Sequence, residues 1–181
     1  GSDSTYIFTL TPLINGTVTV EIPDSICSDA AGNTNLSSSL SFFYDTTPPS
    51  ITILSPASED SLTIGSSKTI SWQASDNYGI LNVGISHTLD NGTNWSDLIL
   101  AQEDTSSFSW SIPNTPSEDV QLRFITTDVI GYIDTSYIHN LSIVIEYPKI
   151  NIISPAAGDS FPIAGNVKIQ WQASHFVGIQ S

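Results

Sequence analysis

The chain of 181 residues sets four Lys+Arg against eighteen Asp+Glu, a net charge of −14, which argues against nucleic acid and anionic membranes, since both are held through Lys and Arg. Ser and Thr supply 47 residues while Glu and Lys are sparse, a composition suited to strands rather than helices. A single cysteine, Cys27, excludes an internal disulfide, and no apolar run approaches the roughly 18 residues that cross a bilayer.

Short alternating runs bounded by Gly, Pro, Asn, Asp and Ser predict strands throughout, with no sustained helical period. Residues 6–13, 17–22 and 40–44 read as three strands, the closing part of a sandwich. A complete set follows. Strands are predicted at 51–54, at 69–74 with Ile70, Trp72 and Ala74 on one face, and at 81–85 with Leu81, Val83 and Ile85 aligned. Then come 95–100, a strand alternating through Phe108, Trp110 and Ile112, one through Val120, Leu122 and Phe124, and a last through Leu141, Ile143 and Ile145. Seven such strands with turns between them predict a two-sheet sandwich. Residues 150–179 supply only the first two or three strands of another.

The division is reinforced by an internal repeat. Residues 51–80 recur without a gap 99 positions later at 150–179, with fifteen of thirty positions identical, including Trp72-Gln73-Ala74-Ser75 against Trp171-Gln172-Ala173-Ser174. A fixed period means an array of modules. The expected fold is all-β: tandem antiparallel β-sandwiches, one complete at 48–147, with the closing half of another at 1–47 and the opening part of a third at 148–181. Half-sandwiches leave apolar faces and strand edges, so the natural partners are neighbouring repeats of the same polypeptide, or a second chain that completes the halves.

Strands running alternately bring three loops to one end of the complete sandwich. They read Asp45-Thr46-Thr47-Pro48-Pro49, Asp76-Asn77-Tyr78-Gly79 and Asp128-Val129-Ile130-Gly131. Carboxylates gathered there repel one another, and a hard cation such as calcium, which takes six to eight oxygen ligands, relieves that repulsion. Asp45, Asp76, Asn77 and Asp128 are the candidate ligands, with Asp29 in the matching turn of the first unit. The competing reading is that each Asp begins an ordinary turn, accepting hydrogen bonds from backbone two residues on. The next junction differs: Glu146-Tyr147-Pro148-Lys149 forms its linker and His175-Phe176 replaces Asp76-Asn77, so packing by Tyr147 and Phe176 is expected there instead of a second ion.

Thr88-Leu89-Asp90-Asn91-Gly92-Thr93-Asn94-Trp95 fits the S/T-x-D-x-G-x-x-W turn known as an Asp-box. Asp90 is expected to tie the turn, Asn91-Gly92 to take positive φ, and Trp95 to anchor the hairpin on the core. No catalytic constellation is found: His87, His139 and His175 are scattered, and no nucleophile elbow or phosphate loop occurs. Trp72, Trp110 and Trp171 sit at core-facing positions. No enzymatic activity is expected.

The segment with Tyr6-Ile7-Phe8-Thr9-Leu10-Thr11-Pro12, Asp29-Ala30-Ala31-Gly32-Asn33 and Asp45-Thr46-Thr47-Pro48-Pro49 resembles the C-terminal half of a bacterial immunoglobulin-like repeat. The rest, marked by Ser55-Pro56, Ile70-Ser71-Trp72, the Asp-box and Trp110-Ser111-Ile112-Pro113, resembles a related Ig/fibronectin-like module. The resemblance implies stalks of large cell-surface or secreted bacterial proteins and adhesins, projecting a binding tip toward a host, prey or surface ligand, with calcium at some junctions through Asp45, Asp76, Asp128 and Asp29. Ile130-Gly131-Tyr132 departs from the Ala-Gly-Asn that usually follows the Asp. Alternative functions are a glycan- or protein-binding module, for which Tyr78, Tyr132 and Tyr137 are the available aromatics, and an accessory β-domain of a secreted hydrolase.

Overall fold

The computed structural model describes residues 5–163 and 165–174. His175 and Phe176, on which the expectation for the second junction rests, lie outside them. Every regular element described is a strand. Two of these, β1 (Gly16–Ile22) and β2 (Ser38–Tyr44), form an antiparallel pair; the expected strand at 6–13 is irregular chain instead.

The sandwich follows. One sheet contains β3 (Ser50–Ser55), β5 (Ser67–Ser75) and β8 (Ser107–Ser111) in that order. The other is ordered β4-β10-β9-β6-β7, from β4 (Ser61–Thr63), β6 (Ile80–Thr88), β7 (Ser96–Gln102), β9 (Ser117–Asp128) and β10 (Ile133–Val144). The period-2 alternation drives this arrangement, because each strand must turn its apolar alternate residues toward the facing sheet. Ile70, Trp72 and Trp110 from the first sheet meet Val83, Ile85, Val120, Leu122, Phe124, Leu141 and Ile143 from the second. Trp72 and Phe124 touch edge-on across the sheets at 6.1 Å between ring centroids. The indole Nε1 of Trp72 donates to Asp104 Oδ1 at 2.8 Å, so its polar end is not stranded by burial.

The first strand changes sheets: β3 pairs with β5, and after a turn β4 runs parallel to β10, with Leu62 opposite Ile143. Leu62, only 3% exposed, is the side chain that secures this crossing.

Within the sandwich, three expectations need correction. Leu81 is 52% exposed, because a register shift between Ile80 and Asn82 against β9 breaks the alternation before Val83. Ile145 lies past the end of β10 and is also exposed. Trp95 does not anchor on the core. Its ring packs against Arg123, whose guanidinium carbon lies 4.6 Å from the ring centroid, and edge-on against Tyr137.

The last described strands are β11 (Lys149–Ser154) and β12 (Gln170–Ser174). Their pairing repeats that of β3 and β5: Ile152 faces Trp171 as Ile53 faces Trp72, and both pairs are irregular at the same step. Yet Trp72 is 2% exposed and Trp171 57%. The expected core role of Trp171 is therefore not met, since no second sheet covers it among the described residues.

Candidate metal centre at the first junction

The end of the sandwich nearest β2 is built from three turns, each opened by an aspartate. Asp45 follows β2 and accepts a hydrogen bond from Thr47 N at 2.9 Å on Oδ1. Asp76 follows β5, and its Oδ1 accepts from Tyr78 N at 2.7 Å and Gly79 N at 2.9 Å. Asp128 closes β9, where its Oδ1 accepts from the backbone N–H of Ile130, Gly131 and Tyr132 at 2.8, 2.6 and 2.9 Å. Val129 N donates to Gly79 O at 3.2 Å, tying the last two turns together. Gly79 and Gly131 have φ of +129° and +106°, values open to glycine and strained for other residues.

Each carboxylate thus commits one oxygen to its own turn. The second oxygen of all three, Oδ2 of Asp45, Asp76 and Asp128, is buried and has no hydrogen-bond partner. Asp45 is 5% and Asp128 0% exposed, and one ligand atom from each of the three lies within 4.8 Å of the others. Buried carboxylate oxygens facing one another without donors are costly. The donor set, all hard oxygen and all negative, matches what calcium binds.

The two readings posed for these aspartates are therefore not exclusive, because turn and ligand draw on different oxygens of one carboxylate. Asn77 is exposed and does not share the burial of the three. Asp29 stands apart: its Oδ1 accepts from Ala31 N and Asn33 N, its Oδ2 accepts from Asn33 Nδ2 at 2.8 Å, and the whole turn is exposed. Those bonds, the Asn33 side chain's first, hold the Asp29 carboxyl below its usual range.

The linker is fastened on its other side. Asn15, at the edge of β1, accepts from Thr46 N and Thr46 Oγ1 through Oδ1 at 3.1 and 2.9 Å, and its Nδ2 donates to Thr47 Oγ1. Phe43 on β2 stacks on Tyr78 in the Asp76 turn, with ring centroids 4.0 Å apart and planes 9° from parallel. Tyr78 is thus part of the joint, through a contact between distant residues that no local pattern announces.

The Asp-box is a structural turn. Thr88 Oγ1 donates to Asp90 Oδ1 at 2.6 Å, and Asn94 closes the carboxylate through N on Oδ1 and Nδ2 on Oδ2. With the Thr88 bond foremost, the Asp90 carboxyl is lowered to about 2.

The described strands form an all-β, immunoglobulin-like sandwich. Residues 49–123 match the family model described as a bacterial Ig domain, a stretch running from just before β3 into β9. Among solved structures, the fibronectin(III)-like modules of Clostridium thermocellum CbhA are similar, with a TM-score of 0.42 and 17% sequence identity over 69% of this chain. The alignment spans 62% of that structure's chain, less than two thirds of its length. No curated protein matches the chain. No helix among the described residues is long and apolar enough to cross a membrane.

Proposed function

We propose that the chain is a non-enzymatic stalk segment of a bacterial cell-surface or secreted adhesin-type fibre, with units 1–47, 48–147 and 148–181 in series, and that calcium stiffens its first junction. The observation that carries this reading is the set of three buried, unpartnered carboxylate oxygens contributed by the linker and by two turns of the sandwich. Asp45, Asp76 and Asp128 hold the ion, with water or backbone oxygens completing its shell. The ion supplies the positive charge that lets three carboxylates stay together. Because Asp45 belongs to the linker and the other two to the sandwich, binding resists bending between the units. The Asn15 lashing and the Phe43–Tyr78 stack support the same reading, since they restrict the linker without any ion. The 99-residue repeat supports a serial array.

Calorimetric titration of the whole chain with calcium chloride tests the proposal. One ion per chain is expected for the parent and none for Asp128→Asn. Absence of binding by the parent, with an unchanged melting midpoint in calcium and in chelator, sinks it.

A further inference from the structure

Of the three aspartates at the junction, Asp45 is the one carried by a linker. Asp76 directly follows β5 and Asp128 is the last residue of β9, and the bond from Val129 N to Gly79 O ties their turns together. Asp45 opens the segment between β2 and β3. It is buried, as is Pro49, while Thr46, Thr47 and Pro48 between them form an exposed arch. Without an ion the three carboxylates repel one another. The arch is where that repulsion can be relieved, by carrying Asp45 away from the other two.

Asn15 blocks that route. It stands immediately before β1, and its one amide makes three bonds to the arch. Oδ1 accepts from Thr46 N at 3.1 Å and from Thr46 Oγ1 at 2.9 Å, and Nδ2 donates to Thr47 Oγ1. Both lone pairs of that oxygen are used, so Asn15 is placed to hold the linker and not to ligate a cation. Thr47 N in turn donates to Asp45 Oδ1 at 2.9 Å. The residue that Asn15 grips by its hydroxyl is thus the residue that orients the Asp45 carboxylate. Pro48 and Pro49 follow, with φ set by their rings, so the pinned residues run straight into stiff ones.

From this arrangement we infer that Asn15 is a positioning residue for the cation site: by holding Thr46 and Thr47 it keeps Asp45 facing Asp76 and Asp128 in the ion-free chain, and so sets how tightly calcium binds. The inference rests on the calcium reading of the three aspartates. An ion that finds its binding arrangement only fractionally populated binds more weakly by that fraction. Losing the stabilisation of a single hydrogen bond lowers that population about fivefold, and Asn15 makes three. The hold also has a direction. Asn15 belongs to the first unit and Asp76 and Asp128 to the sandwich, so the amide and the ion grip the linker from its two sides.

The experiment titrates the whole chain with calcium chloride, comparing the parent with Asn15→Ala, Thr47→Val and the double variant, and records distances between labels in β1 and β9. Asn15→Ala is expected to bind about fivefold more weakly or worse. Its label distances are expected to spread in chelator and to return to the parent's in saturating calcium, a recovery that simple damage to the fold does not give. Thr47→Val keeps the backbone bond to Asp45 and loses only the hydroxyl that meets Asn15, so a smaller weakening is expected. The double variant is expected to bind like Asn15→Ala alone, because the two side chains act through one contact. Equal binding by parent and Asn15→Ala overturns the inference while leaving the calcium reading intact. Weaker binding with unspread distances in chelator also overturns it, since Asn15 then acts on the ion by another route. Fully additive losses in the double variant overturn it as well. A parent that binds no calcium sinks the underlying reading instead.

Discussion

Replacing Asp45 by asparagine separates a cation site from a turn residue by the sign of its effect. In a chelator the three carboxylates, with one oxygen from each within 4.8 Å of the others, repel. Two unit charges at that distance cost about 0.9 kcal/mol in bulk water and about 3.5 kcal/mol at an effective dielectric near 20. Asp45 takes part in two such pairs, so Asp45→Asn relieves about 2 kcal/mol even at the aqueous limit. Against this, the bond from Thr47 N to Oδ1 at 2.9 Å passes from a charged to a neutral acceptor, a loss of about 1 kcal/mol. The variant is therefore expected to be more stable than the parent in chelator by about 1 kcal/mol or more, a midpoint roughly 4 °C or more higher for a domain of this size. In calcium at about a hundred times its dissociation constant the parent gains about 2.7 kcal/mol, the variant little, and the order reverses. Scanning calorimetry of both proteins in both conditions reads this crossing. A variant less stable than the parent in chelator refutes the reasoning, because Asp45 would then serve its turn alone.

Two further outcomes are expected. Tyr78→Ala removes the stack on Phe43, worth about 0.5–1.5 kcal/mol beyond its buried area, and is expected to widen the distribution of distances between labels in β1 and β9 with little change in sandwich stability; an unchanged distribution shows that the stack does not restrain the joint. Asp90, held at about 2 in the folded chain against 3.8 for a free side chain, contributes stability that is fully present above the unfolded value and lost as pH falls from about 4 through 2, so Asp90→Asn is expected to flatten the acid limb of the unfolding curve over that window, and an unaltered limb counts against the Thr88 and Asn94 bonds.

Much of the fold was legible because the alternation is local. Ile70 with Trp72, Phe108 with Trp110, and Leu122 with Phe124 announce their faces within a few residues, and all are buried or half-buried as expected. The strand β4 was not legible, since Ser61-Leu62-Thr63 is too short to show a period and its partner lies some eighty residues away. Leu81 misled because a slip in register leaves no trace in composition. Trp95 misled because a turn does not specify which side of the sheet its aromatic will cover. At the site, strand direction was enough to bring Asp45, Asp76 and Asp128 together. That each aspartate gives one oxygen to its own turn and leaves the other without a partner was not readable, because it depends on which donors the fold brings near.

The crossing of the first strand between sheets sets how the module would respond to a pull on its two ends. The chain enters the sandwich beside Asp76 and Asp128 and leaves it at the far end of β10, so pulling on the two ends drives β4 and β10 past each other along their length. Ser142 N to Asp60 O, Ile64 N to Val144 O and the Ser61–Ser142 hydroxyl contact lie across that line of slip. They are loaded together and must break together, whereas the rungs of a peeled hairpin fail one by one. A segment of three residues, too short to be seen in the sequence, is thus where this module would resist such a pull.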